Sequence, residues 1–463
     1  MSQKSITGYL PDERPGWGKL ILFAFQHILV MFPATVLVAL LTGFHISTTI
    51  FASGLATLCF ILVTKGKIPL YYGSSFSYIA AIVGITGATF GNVAPDQLIG
   101  EAQFGIILSG LVSIGAGVLV NAFGFSKIEK ILPPVVTGPI AMIIGLSLAG
   151  TAINQASGWS DLGSAGSHYW AIALITLIAI ITFTVVFKKG FLSQLPILLG
   201  IMAGYLSSLF SDLIFKTNFM DFSGVFAESI LVVPHFTLPK VSWRAALAIM
   251  PIALATIPES TAHLYQIDLY VNDLAKKKET TKTYVIHDKL GSNLIGDGIG
   301  DIVSALVGGP AGTNYGENIS TMAITKNFSI WVLGGAAILT MGLAFLSPIA
   351  NLLNTIPQAV IGGASIYLFG VIAAQGIAIM IEKKVDMFSS KNLAIIALIL
   401  IIGIGGAFGF DQSGNIPIFG TTLPAIATAS IAGIVVNAIF LIAEAIQHKR
   451  TNKVKEEPII NQE

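Results

Sequence analysis

From Leu20 to Leu41 the chain runs without a single Asp, Glu, Lys or Arg, and comparable runs recur to near its end. About 20 such residues cross the hydrocarbon core of a bilayer. A backbone in lipid must satisfy its own amides, so runs of this kind fold as spanning helices. The composition agrees: 11% of the 463 residues are charged and the mean hydropathy is +0.80, whereas soluble domains carry about 25% charged residues. An all-α polytopic membrane protein is expected. The first run is too long for a cleaved signal core and lacks a small-x-small processing site, so it reads as a retained span.

Other classes are excluded one by one. The balance of 25 Lys plus Arg against 24 Asp plus Glu removes the electrostatic case for nucleic-acid binding. No phosphate-cradling G-x-x-x-x-G-K-[ST] is present, since Gly18-Lys19 and Gly66-Lys67 lack the upstream glycine. ATP-driven transport by this chain is therefore not expected. Neither H-E-x-x-H, G-x-S-x-G nor a metal-spaced cluster occurs, so no enzyme, resident metal or cofactor is read. Cys59 is the single cysteine and sits in an apolar stretch as a small packing residue.

The span rule places fourteen segments, near 20–41, 47–64, 70–88, 103–124, 132–152, 168–187, 192–215, 245–266, 287–307, 310–326, 328–350, 354–380, 392–410 and 422–446. With the N-terminus inside, the alternate loops facing the cytoplasm hold every Lys and Arg except Lys216, Lys240 and Arg244. Those three lie in or beside a long central loop, 216–244, which separates residues 1–215 from residues 245–463. Both termini are then cytoplasmic. Leu132-Pro133-Pro134-Val135-Val136-Thr137-Gly138 is echoed by Ile356-Pro357-Gln358-Ala359-Val360-Ile361-Gly362 at an offset of 224 residues. Each opens the fifth span of its half. Seven spans per half is odd, so the second copy enters the membrane from the opposite side, an inverted 7+7 repeat.

The third span of each half is interrupted, at Pro69–Ser77 and at Gly308–Asn318. Paired interruptions are the strongest pointer to a transporter's binding site, because half-helix N-termini offer free amides near the midplane. Ionisable residues inside spans default to function. His27 lies in the first span with Gln26 beside it to orient the ring, Glu259 and His263 share one face of the eighth, and Glu317 follows the break in the tenth. Asp297 and Asp301 form a second i, i+4 pair, with Asp297 read toward the cytoplasmic water. Their flanking glycines, Gly296, Gly298 and Gly300, suggest close packing or a flexible entrance. His45 falls in an outer loop and receives no role.

At this point the chain resembles the nucleobase/ascorbate transporter family, most closely its bacterial uracil permease branch. Asn314-Tyr315-Gly316-Glu317-Asn318-Ile319-Ser320-Thr321-Met322-Ala323-Ile324-Thr325-Lys326 is similar to the family signature, and Gln26-His27, Gly73-Ser74-Ser75-Phe76 and Pro258-Glu259 with His263 fall where the family carries its motifs. Ser320 stands where the signature usually has Gly, and Phe369 near the gate where the uracil branch often has Tyr. The resemblance implies short strands in spans 3 and 10. It also implies a core domain of spans 1–4 and 8–11, a gate domain of spans 5–7 and 12–14, and a homodimer in the bacterial cytoplasmic membrane that imports a nucleobase with a proton. Uracil suits the residues: Glu259 and Glu317 accept from its ring N–H groups, amides near Phe76 and Gly316 donate to its carbonyls, and Phe76 and Tyr315 wall it. Ser75 joins this set through its motif. Glu259, His263 and His27 share the coupling proton, and Asp297, Asp301, Asn318 and Phe369 are secondary candidates. A xanthine or guanine symporter of the same family is the alternative, followed by sodium coupling and by a channel or anion transporter of similar architecture.

Overall fold

The computed structural model describes residues 8–124, 133–159, 166–187, 191–226, 229–410, 415–418 and 421–456. Lys4, Lys127, Lys130, Lys188, Lys189 and Leu132, which enter the charge alternation and the repeat, lie outside the described residues.

Apolar runs become helices whose ends are set by backbone-permissive residues. Helix α1 (Trp17–Thr42) stops at Gly43, which takes the left-handed conformation and donates its amide to the Ala39 carbonyl. There follow α2 (Ile46–Val63), β1 (Tyr72–Ser74), α3 (Ile79–Thr86) and α4 (Asp96–Phe123), then α5 (Pro134–Ser147), α6 (Ala149–Ser157), α7 (Ser167–Val186) and α8 (Pro196–Phe215). The second half holds α9 (Trp243–Ile249), α10 (Ala253–Lys277), α11 (Leu290–Val307), β2 (Gly312–Asn314), α12 (Gly316–Thr325) and α13 (Ile330–Leu343). It closes with α14 (Ser347–Asn354), α15 (Gln358–Glu382), α16 (Ser390–Gly409), β3 (Asn415–Ile418), β4 (Thr421–Pro424) and α17 (Ala425–Glu456).

Among the described residues, ten helical stretches are long and apolar enough to cross a membrane. The expected third, ninth, tenth and eleventh spans are not among them, for identifiable reasons. In the third and tenth a strand replaces the first part of the helix. The ninth, α11, carries Asp297 and Asp301 within its 18 residues. The eleventh, α13, is only 14 residues long and is continued by α14.

Helices from the two halves interleave. Helix α4 packs along α11, α2 packs on α11 and α13, and α1 packs on α13. Separately, α5 packs against α15 and α16, α7 against α8 and α15, and α16 against α17. The α4–α11 seam is built from small residues seven apart. A Cβ on Gly110 would stand 2.5 Å from the Gly298 carbonyl oxygen, and one on Gly117 2.6 Å from that of Gly291. All three glycines around the aspartates are closely packed: Gly296 lies against the Phe60 ring, Gly298 against Gly110 and Gly300 against the Tyr72 ring. Close packing, not a flexible entrance, is what they provide.

The central loop is stitched to the bundle. Val232 donates to the Phe345 carbonyl at 2.9 Å and Lys240 to that of Gly100 at 2.8 Å. Thr237 and Gln103 bond reciprocally at 3.0 and 2.9 Å. A second ribbon, β3–β4, precedes α17 with Asn415 opposite Pro424 and Ile418 opposite Thr421, and has no counterpart in the sequence reading.

Candidate functional site

The two interrupted segments meet. Strands β1 and β2 pair antiparallel, Tyr72 opposite Asn314, Gly73 opposite Thr313 and Ser74 opposite Gly312, and all six residues are buried. Ser75 N–H to the Ala311 carbonyl (3.0 Å) and Tyr315 N–H to the Tyr71 carbonyl (2.9 Å) continue the ladder at each end. The arrangement is reciprocal. The Tyr315 ring covers Gly73, where a Cβ would come within 2.4 Å of it, and the Tyr72 ring covers Gly312, where a Cβ would come within 2.3 Å. Only glycine permits this stacking of ring on backbone.

Each tyrosine is anchored by its hydroxyl. Tyr315 Oη donates to the Ser74 carbonyl at 2.9 Å and lies 3.0 Å from Thr35 Oγ1. Tyr72 Oη donates to Asp301 Oδ1 at 2.5 Å, and the Gly312 amide donates to the same oxygen at 2.8 Å. Asp301 therefore ties both strands to α11. Asp297 holds the next step: Ser260 donates to its Oδ2 and Asn314 Nδ2 to its Oδ1 at 2.8 Å. Asn293 Nδ2 in turn donates to Ser260 Oγ at 2.6 Å. The expectation that Asp297 faces cytoplasmic water is corrected, since it is 7% exposed and enclosed by this network. Burial of an isolated carboxylate is costly unless hydrogen bonds or a proton compensate.

Because the strands are antiparallel, the half-helices leaving them diverge, and both N-termini face the crossing. On one side Ser75 caps the turn Phe76–Tyr78 by accepting from the Ser77 amide at 3.3 Å. On the other, α12 begins at Gly316 without a side-chain cap at Tyr315. The first amides of a helix have no intrahelical partner and sit at the positive end of its dipole.

The sequence candidates divide around this crossing. Phe76, Glu259, His263, Gly316 and Glu317 are only partly buried. Glu259 is one turn from His263 on α10, and Glu317 follows Gly316 in the first turn of α12. The His263 ring rests against the Asn314 backbone, and its Nε2 would be 3.0 Å from a Cβ on Gly316. His263 Nδ1 is buried and has no hydrogen-bond partner among the described residues. Glu259 and His263 share a helical face without bonding to each other.

The remaining candidates are buried behind the partly open ones. His27 is held by Asn318, whose Nδ2 lies 3.0 Å from His27 Nδ1 and donates to the His27 carbonyl at 3.2 Å. Ser75 is buried at its cap and Tyr315 is 3% exposed over Gly73. Phe369 on α15 is buried in an apolar cluster with Val36, Leu37 and Ile79, and Phe76 packs against that cluster. Ser320 is exposed and donates to the Gly316 carbonyl at 3.0 Å. Sequence reasoning did not single out Thr35, Tyr72, Ser260 and Asn293. Their signal was present only as polar groups in otherwise apolar segments, three in helices and Tyr72 on β1, which became meaningful once a partner was visible.

Interrupted half-helices crossing through a two-stranded ribbon, inside a bundle of apolar helices and beside partly open carboxylates, define a membrane permease and not an enzyme. Residues 18–412 match the family model named for xanthine and uracil permeases and described as the permease family, and the chain belongs to that family, the nucleobase/ascorbate transporters. It is 38% identical over 434 residues to a uracil permease of Bacillus caldolyticus, covering 92% of this chain and 93% of that one. It is 36% identical over 449 residues to one of Bacillus subtilis, covering 95% and 96%. A uracil permease of Escherichia coli is 33% identical over 436 residues, covering 94% of each. Among solved structures the fold is similar to murine Slc26a9, an anion transporter in its inward-facing state, with a TM-score of 0.66 at 11% identity over 94% of this chain and 69% of that one. Another SLC26A9 structure gives a TM-score of 0.63 at 13% identity over 93% of this chain, which spans 65% of that chain's length. The transmembrane domain of the cyanobacterial bicarbonate transporter BicA gives 0.54 at 14% identity, over 91% and 97%. At such identities the likeness concerns architecture alone.

Proposed function

We propose that this protein imports uracil across the bacterial cytoplasmic membrane together with a proton. The observation that carries this reading is a pair of half-buried glutamates at the crossing, Glu317 in the first turn of the half-helix α12 and Glu259 one turn from His263, which faces Gly316 at the start of that half-helix. Uracil is flat and neutral, with two N–H donors and two carbonyl acceptors. The carboxylates take the N–H groups, and the amides at Phe76 and Gly316 take the carbonyls. Phe76 walls the base, while Tyr315 and Ser75 fix the crossing that aims those amides. A hydrogen bond to ionised Glu317 contributes about 1.5 to 3 kcal/mol and one to protonated Glu259 about 0.5 to 1.5 kcal/mol, so of the roughly 8 kcal/mol that micromolar affinity needs the amide bonds to the carbonyls and the packing of Phe76 supply the rest. The names of the relatives support uracil as cargo.

Glu259 carries the proton, with His263 beside it on the same face and His27 acting through Asn318 on the start of α12. Fourteen segments in an inverted 7+7 repeat, with both termini cytoplasmic, are supported by the matching positions of β1 and β2 in the two halves. The packing of α1–α4 with α9–α13, apart from that of α5–α8 with α15–α17, supports a core that moves against a gate. Phe369 then forms part of the gate wall facing Phe76, in a protein that works as a homodimer. Thermal unfolding of the purified protein with a panel of nucleobases tests the cargo, because a ligand at about 100 times its Kd stabilises the folded state by roughly 2.7 kcal/mol. Uracil is expected to raise the midpoint more than xanthine, guanine or adenine. A larger shift with xanthine or guanine would reassign the site to a purine.

A further inference from the structure

Three residues that are distant in sequence converge at one end of the bundle, away from the crossing. His45 immediately precedes α2, Asp96 is the first residue of α4 and His235 lies in the central loop. His235 Nε2 is 2.9 Å from Asp96 Oδ2, and His45 Nε2 is 3.8 Å from Asp96 Oδ1. The two imidazole centroids are 4.4 Å apart. One ligand atom from each residue lies within 4.8 Å of the other two. His45 Nε2 is buried and has no hydrogen-bond partner among the described residues, so one ring nitrogen faces the cluster with its lone pair or proton unsatisfied.

Fixed backbone, not chance proximity, brings these groups together. The His235 carbonyl accepts from Thr48 Oγ1 at 2.7 Å, and the Thr237–Gln103 pair pins the loop two residues further on. The His45 carbonyl accepts from the Thr49 amide and hydroxyl, both at 2.9 Å. Asp96 follows Pro95 at the rigid start of a 28-residue helix.

We infer that His45, Asp96 and His235 form a binding site for a divalent transition-metal ion of the zinc class. Two imidazole nitrogens and one carboxylate oxygen make a three-ligand set that leaves a fourth, tetrahedral position for water. Calcium and magnesium prefer all-oxygen shells, so nitrogen donors select against them. Metal–ligand bonds of about 2.0 to 2.2 Å in a tetrahedron put the ligand atoms roughly 3.3 to 3.5 Å apart. The present separations bracket that value, and small side-chain rotations close the set. Bound metal clasps the central loop onto α2 and α4. That loop is also the link from α8 to α9, so under the core-and-gate reading above, metal occupancy slows exchange between inward and outward states. This consequence rests on the proposed function; the binding itself does not.

The test is a titration of the purified full-length protein with Zn2+ by calorimetry after treatment with a chelator. Co2+ serves in parallel as a probe whose visible absorption reports a tetrahedral site. The expected result is one ion per chain, with affinity lowered about tenfold or more in both His45→Ala and His235→Ala. Asp96→Asn is expected to weaken binding as well. Unaltered elution on gel filtration and an unaltered thermal shift with uracil show that the variants fold, and these readouts fail independently of the metal site. Absence of Zn2+ binding by the unmodified protein, or binding that both histidine variants retain, overturns the inference.

Discussion

Glu259→Gln is expected to abolish proton-driven uptake and to weaken uracil binding by up to about tenfold. The substitution preserves shape and leaves an amide oxygen to accept a hydrogen bond, so what it removes is the charge and the titrating proton. A hydrogen bond to an ionised group is worth about 1.5 to 3 kcal/mol and a neutral one about 0.5 to 1.5 kcal/mol, so the exchange costs on the order of 1 to 1.5 kcal/mol, and 1.4 kcal/mol is tenfold in an equilibrium constant. Glu317→Gln separates the two roles. Under the proposed reading Glu317, in the first turn of α12, accepts from the base without carrying the proton, so its loss is expected to weaken binding while the dependence on the proton gradient persists. Parallel binding and uptake measurements on both variants in liposomes check this. Uptake by Glu259→Gln that still responds to an inward proton gradient would remove Glu259 from the coupling.

Gly312→Leu is expected to destroy transport through the scaffold. Its Cβ would stand 2.3 Å from the Tyr72 ring and 2.5 Å from the Gly73 carbonyl oxygen. The ring has no free direction to move, since Tyr72 Oη is bonded to Asp301 and its carbonyl accepts from Ser53 and Thr57, both at 2.9 Å. Overpacking of this kind typically costs about 1 to 3 kcal/mol and sometimes more. Both the thermal midpoint and uracil uptake should fall. Gly316→Ala makes the contrast: there the nearest atom is the tip of a side chain, His263 Nε2 at 3.0 Å, which can rotate away. That variant is expected to keep its thermal midpoint and to lose binding by displacing His263. Equal thermal midpoints for Gly312→Leu and the unmodified protein would contradict the interlocked crossing.

Much of this architecture was legible in the sequence because lipid imposes a simple rule. Apolar runs near 20 residues announce α1, α2, α4, α7, α8, α15 and α16 without help from tertiary structure. The breaks at Pro69–Ser77 and Gly308–Asn318 were equally visible, as were Glu259 and Glu317, since turn formers and carboxylates are costly in hydrocarbon. What the breaks do was not legible from the residues alone. The ladder from Tyr72–Asn314 to Ser74–Gly312 joins segments about 240 residues apart, and no local pattern encodes its register. For the same reason the role of Asp301 stayed hidden, as its partners Tyr72 and Gly312 lie on different strands. Glycine gave a signal without a meaning: Gly296, Gly298 and Gly300 read as packing or hinge, and only their neighbours decide for packing. His45 looked incidental because the groups it meets are 51 and 190 positions away in the chain.

Uptake of labelled uracil into liposomes containing the purified protein tests the central claim most directly, with an inward proton gradient imposed and then dissipated by a protonophore. The account predicts accumulation above the external concentration, collapse when the gradient is removed, and stronger competition by unlabelled uracil than by xanthine. Uptake that stops at the external concentration with or without the gradient would contradict it.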